Sequence, residues 1–255
     1  MKKHVLTIIT LLIFSNLLAE GLPQIGIYEK LDDYIPENLE FINDKGETQN
    51  LSEIIDKPTV ITMVYFNCPG ICSPLLDGVA TVIDRNDMIL GSDYQVLTIS
   101  FNWDETWQLG KNKKDNYLKQ ITKDIDTDGW QFMAGDSANI MSLVNAIGFG
   151  FQKEGEDYIH AAAIVMLSPE SKITRYLYGT TFLPFDLKMA AVEAAQGKSG
   201  PTINKVLEYC FSYDAEGKQY VFNITKVSAT IILFFALTMF LWLVLTRKKR
   251  KKSHI

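Results

Sequence analysis

The feature that most constrains the fold is an apolar run, Thr59 to Phe66, that breaks at Asn67 into Cys68-Pro69-Gly70-Ile71-Cys72 and gives way to a helical pattern. A strand that turns directly into a helix is half of an α/β unit, which points to a sheet with helical cover. The spacing predicts both sulfurs on one face of the first helical turn, where backbone N–H groups without partners favour the thiolate. Thiolates so placed bind soft metals or exchange disulfides. A static bridge is the alternative, but so short a loop gives a structural disulfide little to stabilise.

The rest of the chain continues the alternation. Leu39 to Ile42 and Thr48 to Leu51 read as a hairpin around Asn43-Asp44-Lys45-Gly46, followed by the strand from Val60 to Phe66 and a helix from Pro74 to Met88. Tyr94 to Phe101 reads as a buried strand, and Asp104 to Ile121 as an amphipathic helix with Lys111, Lys113 and Lys114 on its solvated face. Trp130 to Met133 is a short strand; Asp136 or Ser137 caps a helix running to about Ile147, with Gly148 as its stop. Strands follow at Ala161 to Leu167 and Ile173 to Tyr178, joined by Ser168-Pro169-Glu170-Ser171. Pro184 opens a last helix that buries Leu187, Ala190, Ala191 and Ala194 and ends at Gly197. The order predicts a central sheet covered by helices on both faces.

The two ends of the chain fix the compartment that the dithiol sees. Lys2 and Lys3 precede an uncharged apolar run, Val5 to Leu18, closing on Ala19, which is the pattern of a signal peptide or N-terminal anchor over residues 1–19. Val227 to Thr246 carries no charge, long enough as a helix to cross a hydrocarbon core of roughly 30 Å. Six basic residues, Arg247 to Lys252, follow it in the tail 247–255 and place that tail in the cytoplasm. The expected organisation is therefore one globular domain over 20–200, a membrane-proximal segment 201–226 and a single transmembrane helix 227–246, with the domain outside the cytoplasmic membrane. Setting aside Lys2, Lys3 and the six tail residues leaves 17 of the 25 basic residues against 30 acidic ones, or −13 for the exported part. Such a domain repels nucleic acid and attracts cations.

Counting soft ligands narrows the chemistry. Of three histidines, His4 lies in the signal and His254 in the tail, so only His160 can serve the exported domain. A closed zinc site normally takes four Cys or His ligands and would have to recruit Cys210, far along the chain. Two thiolates and one imidazole instead suit Cu(I). The expected metal ligands are Cys68, Cys72 and His160.

Tyr65-Phe66-Asn67-Cys68-Pro69-Gly70-Ile71-Cys72-Ser73-Pro74-Leu75-Leu76 resembles the Cys-Pro-x-x-Cys-Pro segment of the SCO/SenC family. The likeness extends to Gly26 to Leu31, Ile35-Pro36, Thr98 to Phe101 with Glu105-Thr106, Trp130 to Phe132 with Gly135-Asp136, Tyr158 to Ala162 and Tyr209 to Asp214. The resemblance implies a thioredoxin-like fold with a central mixed sheet flanked by helices. It implies a metallochaperone that binds one copper ion through Cys68, Cys72 and His160 and assists maturation of the dinuclear copper A centre in cytochrome c oxidase subunit II. A copper donor chaperone and a thioredoxin-like reductant are the further partners it suggests. Family members commonly carry Asp-Pro where this chain has Asn102-Trp103, so Asn102 is left out of the site.

The expected mechanism has reduced Cys68 and Cys72 capture copper outside the membrane while His160 swings in from the loop before strand Ala161 to Leu167. Release proceeds by ligand exchange with the acceptor's cysteines, and binding weakens as pH falls because two thiols must ionise. The competing reading is a thiol–disulfide reductase in which Cys68 and Cys72 form the redox pair and His160 adjusts thiolate character. Phe101, Trp103 and Trp107 are expected chiefly as core, with a partner-facing aromatic patch as the alternative.

Overall fold

A computed structural model describes residues 25–200, the backbone of 211–214 and 219–222, and a few positions between 228 and 242. The chain divides between Gly200 and Pro201 into two units. The first contains a five-stranded mixed sheet in the order β10 (Ile173–Tyr178), β9 (Ala163–Leu167), β4 (Thr59–Val64), β5 (Gln95–Ser100), β6 (Trp130–Met133). Its centre is β4 (Thr59–Val64) beside β5 (Gln95–Ser100), parallel and in register from Thr59 opposite Gln95 to Val64 opposite Ser100. Every residue of both strands is buried, as expected of parallel strands covered on two faces. β6 (Trp130–Met133) continues the parallel side; β9 (Ala163–Leu167) and β10 (Ile173–Tyr178) complete the other side antiparallel.

Two small sheets flank this core. β1 (Gly26–Ile27) pairs with β7 (Phe149–Glu154), which forms a hairpin with β8 (Asp157–His160). β2 (Glu40–Ile42) and β3 (Thr48–Asn50) make the hairpin expected around Asn43 to Gly46, running into a single helical turn, α1 (Leu51–Ile54). The longer helices are α2 (Cys72–Arg85), α3 (Trp107–Leu118), α4 (Ser137–Ala146) and α5 (Pro184–Ala194). α2 packs against α3 and α5, α3 against β6, α4 against β7, and α5 against β9 and β10. Asp136 caps α4 by accepting from the Asn139 N–H at 2.8 Å. Gly148 stops that helix with φ of +64°, and a Cβ there would collide with the Tyr28 carbonyl oxygen, so the position admits only glycine.

Two expectations fail here. Residues 149–160 carry a hairpin that the sequence reading passed over as loop, although Phe149 and Phe151 alternate on one arm, Tyr158 and His160 on the other, and Gly155 sits at the turn with φ of +65°. Lys114 is not solvated: it is 6% exposed and bonds both carboxylate oxygens of Asp44 at 3.0 and 3.1 Å. Gly110, Lys114 and Tyr117 form the buried face of α3, which lies against the turn of the β2–β3 hairpin, so the charge is met by a buried carboxylate instead of water.

In the second unit, β11 (Phe211–Asp214) pairs antiparallel with β12 (Gln219–Phe222). Among the described residues no helix is long and apolar enough to cross a membrane. The expected signal 1–19 and Cys210 lie outside the described residues, as does most of the expected span 227–246.

Candidate metal centre

β4 delivers the chain to the site. Its ladder with β5 ends where the Phe101 N–H bonds the Val64 carbonyl, and the next residues turn back so that the Cys68 N–H meets the Tyr65 carbonyl at 3.2 Å. Pro69 disfavours the helical region for the residue before it, so Cys68 stays outside the helix. α2 begins only at Cys72, with Ile71 as its N-cap. The two thiols therefore do not share a helical turn as the spacing predicts: Cys72 opens the helix, and Cys68 stands on the loop ahead of it.

His160 reaches the same point from the end of β8. Its Nε2 lies 3.3 Å from Cys72 Sγ and its Nδ1 lies 3.0 Å from the Ala161 carbonyl oxygen. A carbonyl only accepts, so Nδ1 carries the hydrogen and, in the neutral ring, the Nε2 lone pair faces the sulfurs. The ligand atoms of Cys68, Cys72 and His160 all lie within 4.8 Å of one another, and both thiols are free. The imidazole does not wait on a loop to swing in; it is 2% exposed and already fixed by a strand.

An aromatic cage holds that ring. Phe101 lies 5.1 Å from it edge-on, Phe149 5.7 Å and Tyr65 6.2 Å, centroid to centroid. Phe101 also packs on Tyr65, Phe151 and Tyr158, which makes it core. Trp103 is 41% exposed, whereas Trp107 is half-buried under Gly46. Asn102 is outside the ligand cluster and ties the neighbouring loop to the hairpin, its Oδ1 accepting from the Tyr158 hydroxyl at 3.2 Å.

The two thiols differ in acidity. Cys68 is held well below the ordinary thiol range, first by a hydrogen bond from the Cys72 thiol, against the opposing effect of burial, and further by the N–H groups of Cys72 and Gly70. Burial pushes Cys72 well above that range, and the negative charge on Cys68 adds to it. Of the two sulfurs, Cys68 is thus the more acidic. Alkylation of Cys68 by iodoacetamide in the reduced protein should stay nearly constant from about pH 8 to about pH 5, while an ordinary thiol slows roughly tenfold per pH unit below its pKa. A rate that tracks the ordinary thiol curve would refute this assignment; mass spectrometry of the labelled peptide reads it.

The SCO1/SenC family profile matches residues 29–191. The chain belongs to the SCO1/SenC family. Among solved structures, this SCO1/SenC protein is similar to one from Aquifex aeolicus VF5 described as an electron transfer protein, with 27% identity, TM-score 0.60 and coverage of 68% of this chain and 98% of that one. It shares the fold of Arabidopsis thaliana ScoI, solved with copper bound, at 20% identity, TM-score 0.50 and coverage of 62% and 96%. It also shares that of BsSco, described as a member of the Sco family of cytochrome c oxidase assembly proteins, at 18% identity, TM-score 0.52 and coverage of 68% and 97%. Comparison with the sequences of curated proteins gives no match.

Proposed function

We propose that this protein is a membrane-anchored copper metallochaperone of the extracytoplasmic face that delivers Cu(I) to the dinuclear copper A centre of cytochrome c oxidase subunit II. The observation that carries the reading is the convergence of two thiols and the one imidazole of the globular unit within 4.8 Å. Two soft sulfur donors and a borderline nitrogen suit a low-coordinate monovalent copper ion, and three ligands leave an open edge for a fourth donor. Membership of the SCO1/SenC family supports it. So do the copper bound to Arabidopsis ScoI and the oxidase assembly role named for BsSco.

In this mechanism Cys68, the more acidic thiol, receives the ion first, Cys72 gives up its proton on binding, and His160 Nε2 completes the site without moving far. The acceptor's cysteines then displace these ligands one at a time. The two sulfur ligands are replaced by acceptor sulfur and His160 is released, so no turnover chemistry is needed. Membrane anchoring is supported by the helical positions described at 232–235, where Ile232, Leu233, Phe234 and Phe235 are all more than 60% exposed. Four successive apolar residues cover most of a helix circumference, the pattern of a surface meant for lipid. Anaerobic titration of the reduced full-length protein in detergent, against a Cu(I) chelator, should end at one copper per chain. Failure to retain copper under that competition would remove the reading.

The unequal acidity of the thiols favours a second reading, in which Cys68 attacks a disulfide of the acceptor and Cys72 resolves the mixed disulfide. A protein without retained copper that rapidly reduces a subunit II disulfide would establish it instead.

A further inference from the structure

Glu105 is buried, 6% exposed, and no cation pairs with it among the described residues. Its carboxylate accepts three hydrogen bonds: Oε2 from the Phe66 N–H and from the Ser100 hydroxyl at 2.7 Å, and Oε1 from the Asn67 N–H at 2.8 Å. The two backbone donors are the last ones before Cys68, and they lie just past the point where the β4–β5 ladder ends at Val64 and Phe101. As the loop departs from the sheet, the N–H groups that β5 can no longer reach are taken over by one side chain from the turn ahead of α3. A buried N–H without a partner is costly, so this carboxylate decides the path of the loop.

Resting on the copper reading above, we propose that Glu105 is the positioning residue of the ligand loop, its carboxylate fixing Cys68 at the distance from which one metal ion spans Cys68, Cys72 and His160. Geometry makes the charge-neutral isostere a sharp probe. In Glu105→Gln one terminal oxygen becomes an NH2 group, and either orientation turns a donor onto a backbone N–H. The loop then loses one anchor while the side-chain volume is kept. Glu105→Asp retains the carboxylate on a shorter stem and serves as the conservative variant.

The test compares full-length wild type, Glu105→Gln, Glu105→Asp and Thr98→Val. The last strands the buried indole N–H of Trp130, bonded to Thr98 Oγ1 at 2.9 Å, and so destabilises the same sheet without touching the loop. Cu(I) competition should show affinity lowered about tenfold or more in Glu105→Gln, the range seen when outer-shell partners of metal ligands are removed, with partial recovery in Glu105→Asp and no change in Thr98→Val. A second readout needs no metal: in the reduced, copper-free protein, labelling of Cys68 by a bulky maleimide should be at least about fivefold faster in Glu105→Gln than in wild type or Thr98→Val, as expected when local opening becomes easier. Wild-type affinity and labelling rate in Glu105→Gln, or equal losses in Thr98→Val, would overturn the proposal. If wild type itself retains no copper, the copper reading has failed, and the maleimide rates alone decide whether Glu105 positions the thiol.

Discussion

Replacing His160 by alanine is expected to lower Cu(I) retention by more than about a hundredfold, because even outer-shell substitutions cost ten- to a hundredfold and this one removes a ligand. The loss has a structural cause besides the missing nitrogen. Nε2 is the group facing Cys72 Sγ, and the ring fills the centre of the cage made by Tyr65, Phe101 and Phe149. A two-sulfur remnant can still hold copper weakly, so retention should be measured by competition and not by stoichiometry at excess metal. Disulfide reduction by Cys68 should persist in part, since neither sulfur is removed. Equal retention in wild type and His160→Ala would mean that the imidazole is no ligand, and the reductase reading would gain.

Asp44→Ala is expected to destabilise the globular unit by about 3–5 kcal/mol, the usual cost of breaking a buried ion pair from one side. The Lys114 ammonium, 7% exposed as a side chain, would be left without the carboxylate that faces it among the described residues, and the Phe132 N–H, which donates to Asp44 Oδ2 at 2.9 Å, would lose its partner as well. Asp44→Asn combined with Lys114→Met should recover most of the loss, because the amide oxygen still serves Phe132 and no charge remains buried. Urea unfolding followed by tryptophan fluorescence measures both. A penalty below about 1 kcal/mol for Asp44→Ala would show that the ammonium finds water in the variant.

Much of this molecule is legible in its sequence, and the gaps have physical causes. The strands of the central sheet and the helices that cover it announce themselves through apolar runs and caps: β4 through Thr59 to Val64, α4 through Asp136 and Gly148, α5 through Pro184 and its alanine stripe. Counting soft donors singles out Cys68, Cys72 and His160, the three residues that the fold brings within reach of one another. Lys114 is misread because periodicity reports polarity, and nothing local reveals that Asp44 lies across from it, 70 positions away. The β7–β8 hairpin is missed because its exposed end, Gln152, Lys153 and Glu154, interrupts the alternation set by Phe149 and Phe151. Glu105 is visible only as part of a family-like turn; that its carboxylate closes the chain just ahead of Cys68 depends on where two strands part.

Cys68 and Cys72 lie four positions apart and stay close together in an extended chain, but His160 is 88 positions beyond Cys72 and reaches the sulfurs only once β7 and β8 have paired. On the proposed reading, the full ligand set is therefore a certificate of completed folding. Under the proposed copper reading, a chain still threading through an export channel would offer two sulfurs and no imidazole, and tight loading would wait until the domain is assembled on the far side. Copper held by all three ligands then binds the folded state alone and adds to its stability in proportion to the logarithm of free copper over its dissociation constant. If the proposed delivery holds, cargo and scaffold would vouch for each other before either meets an acceptor.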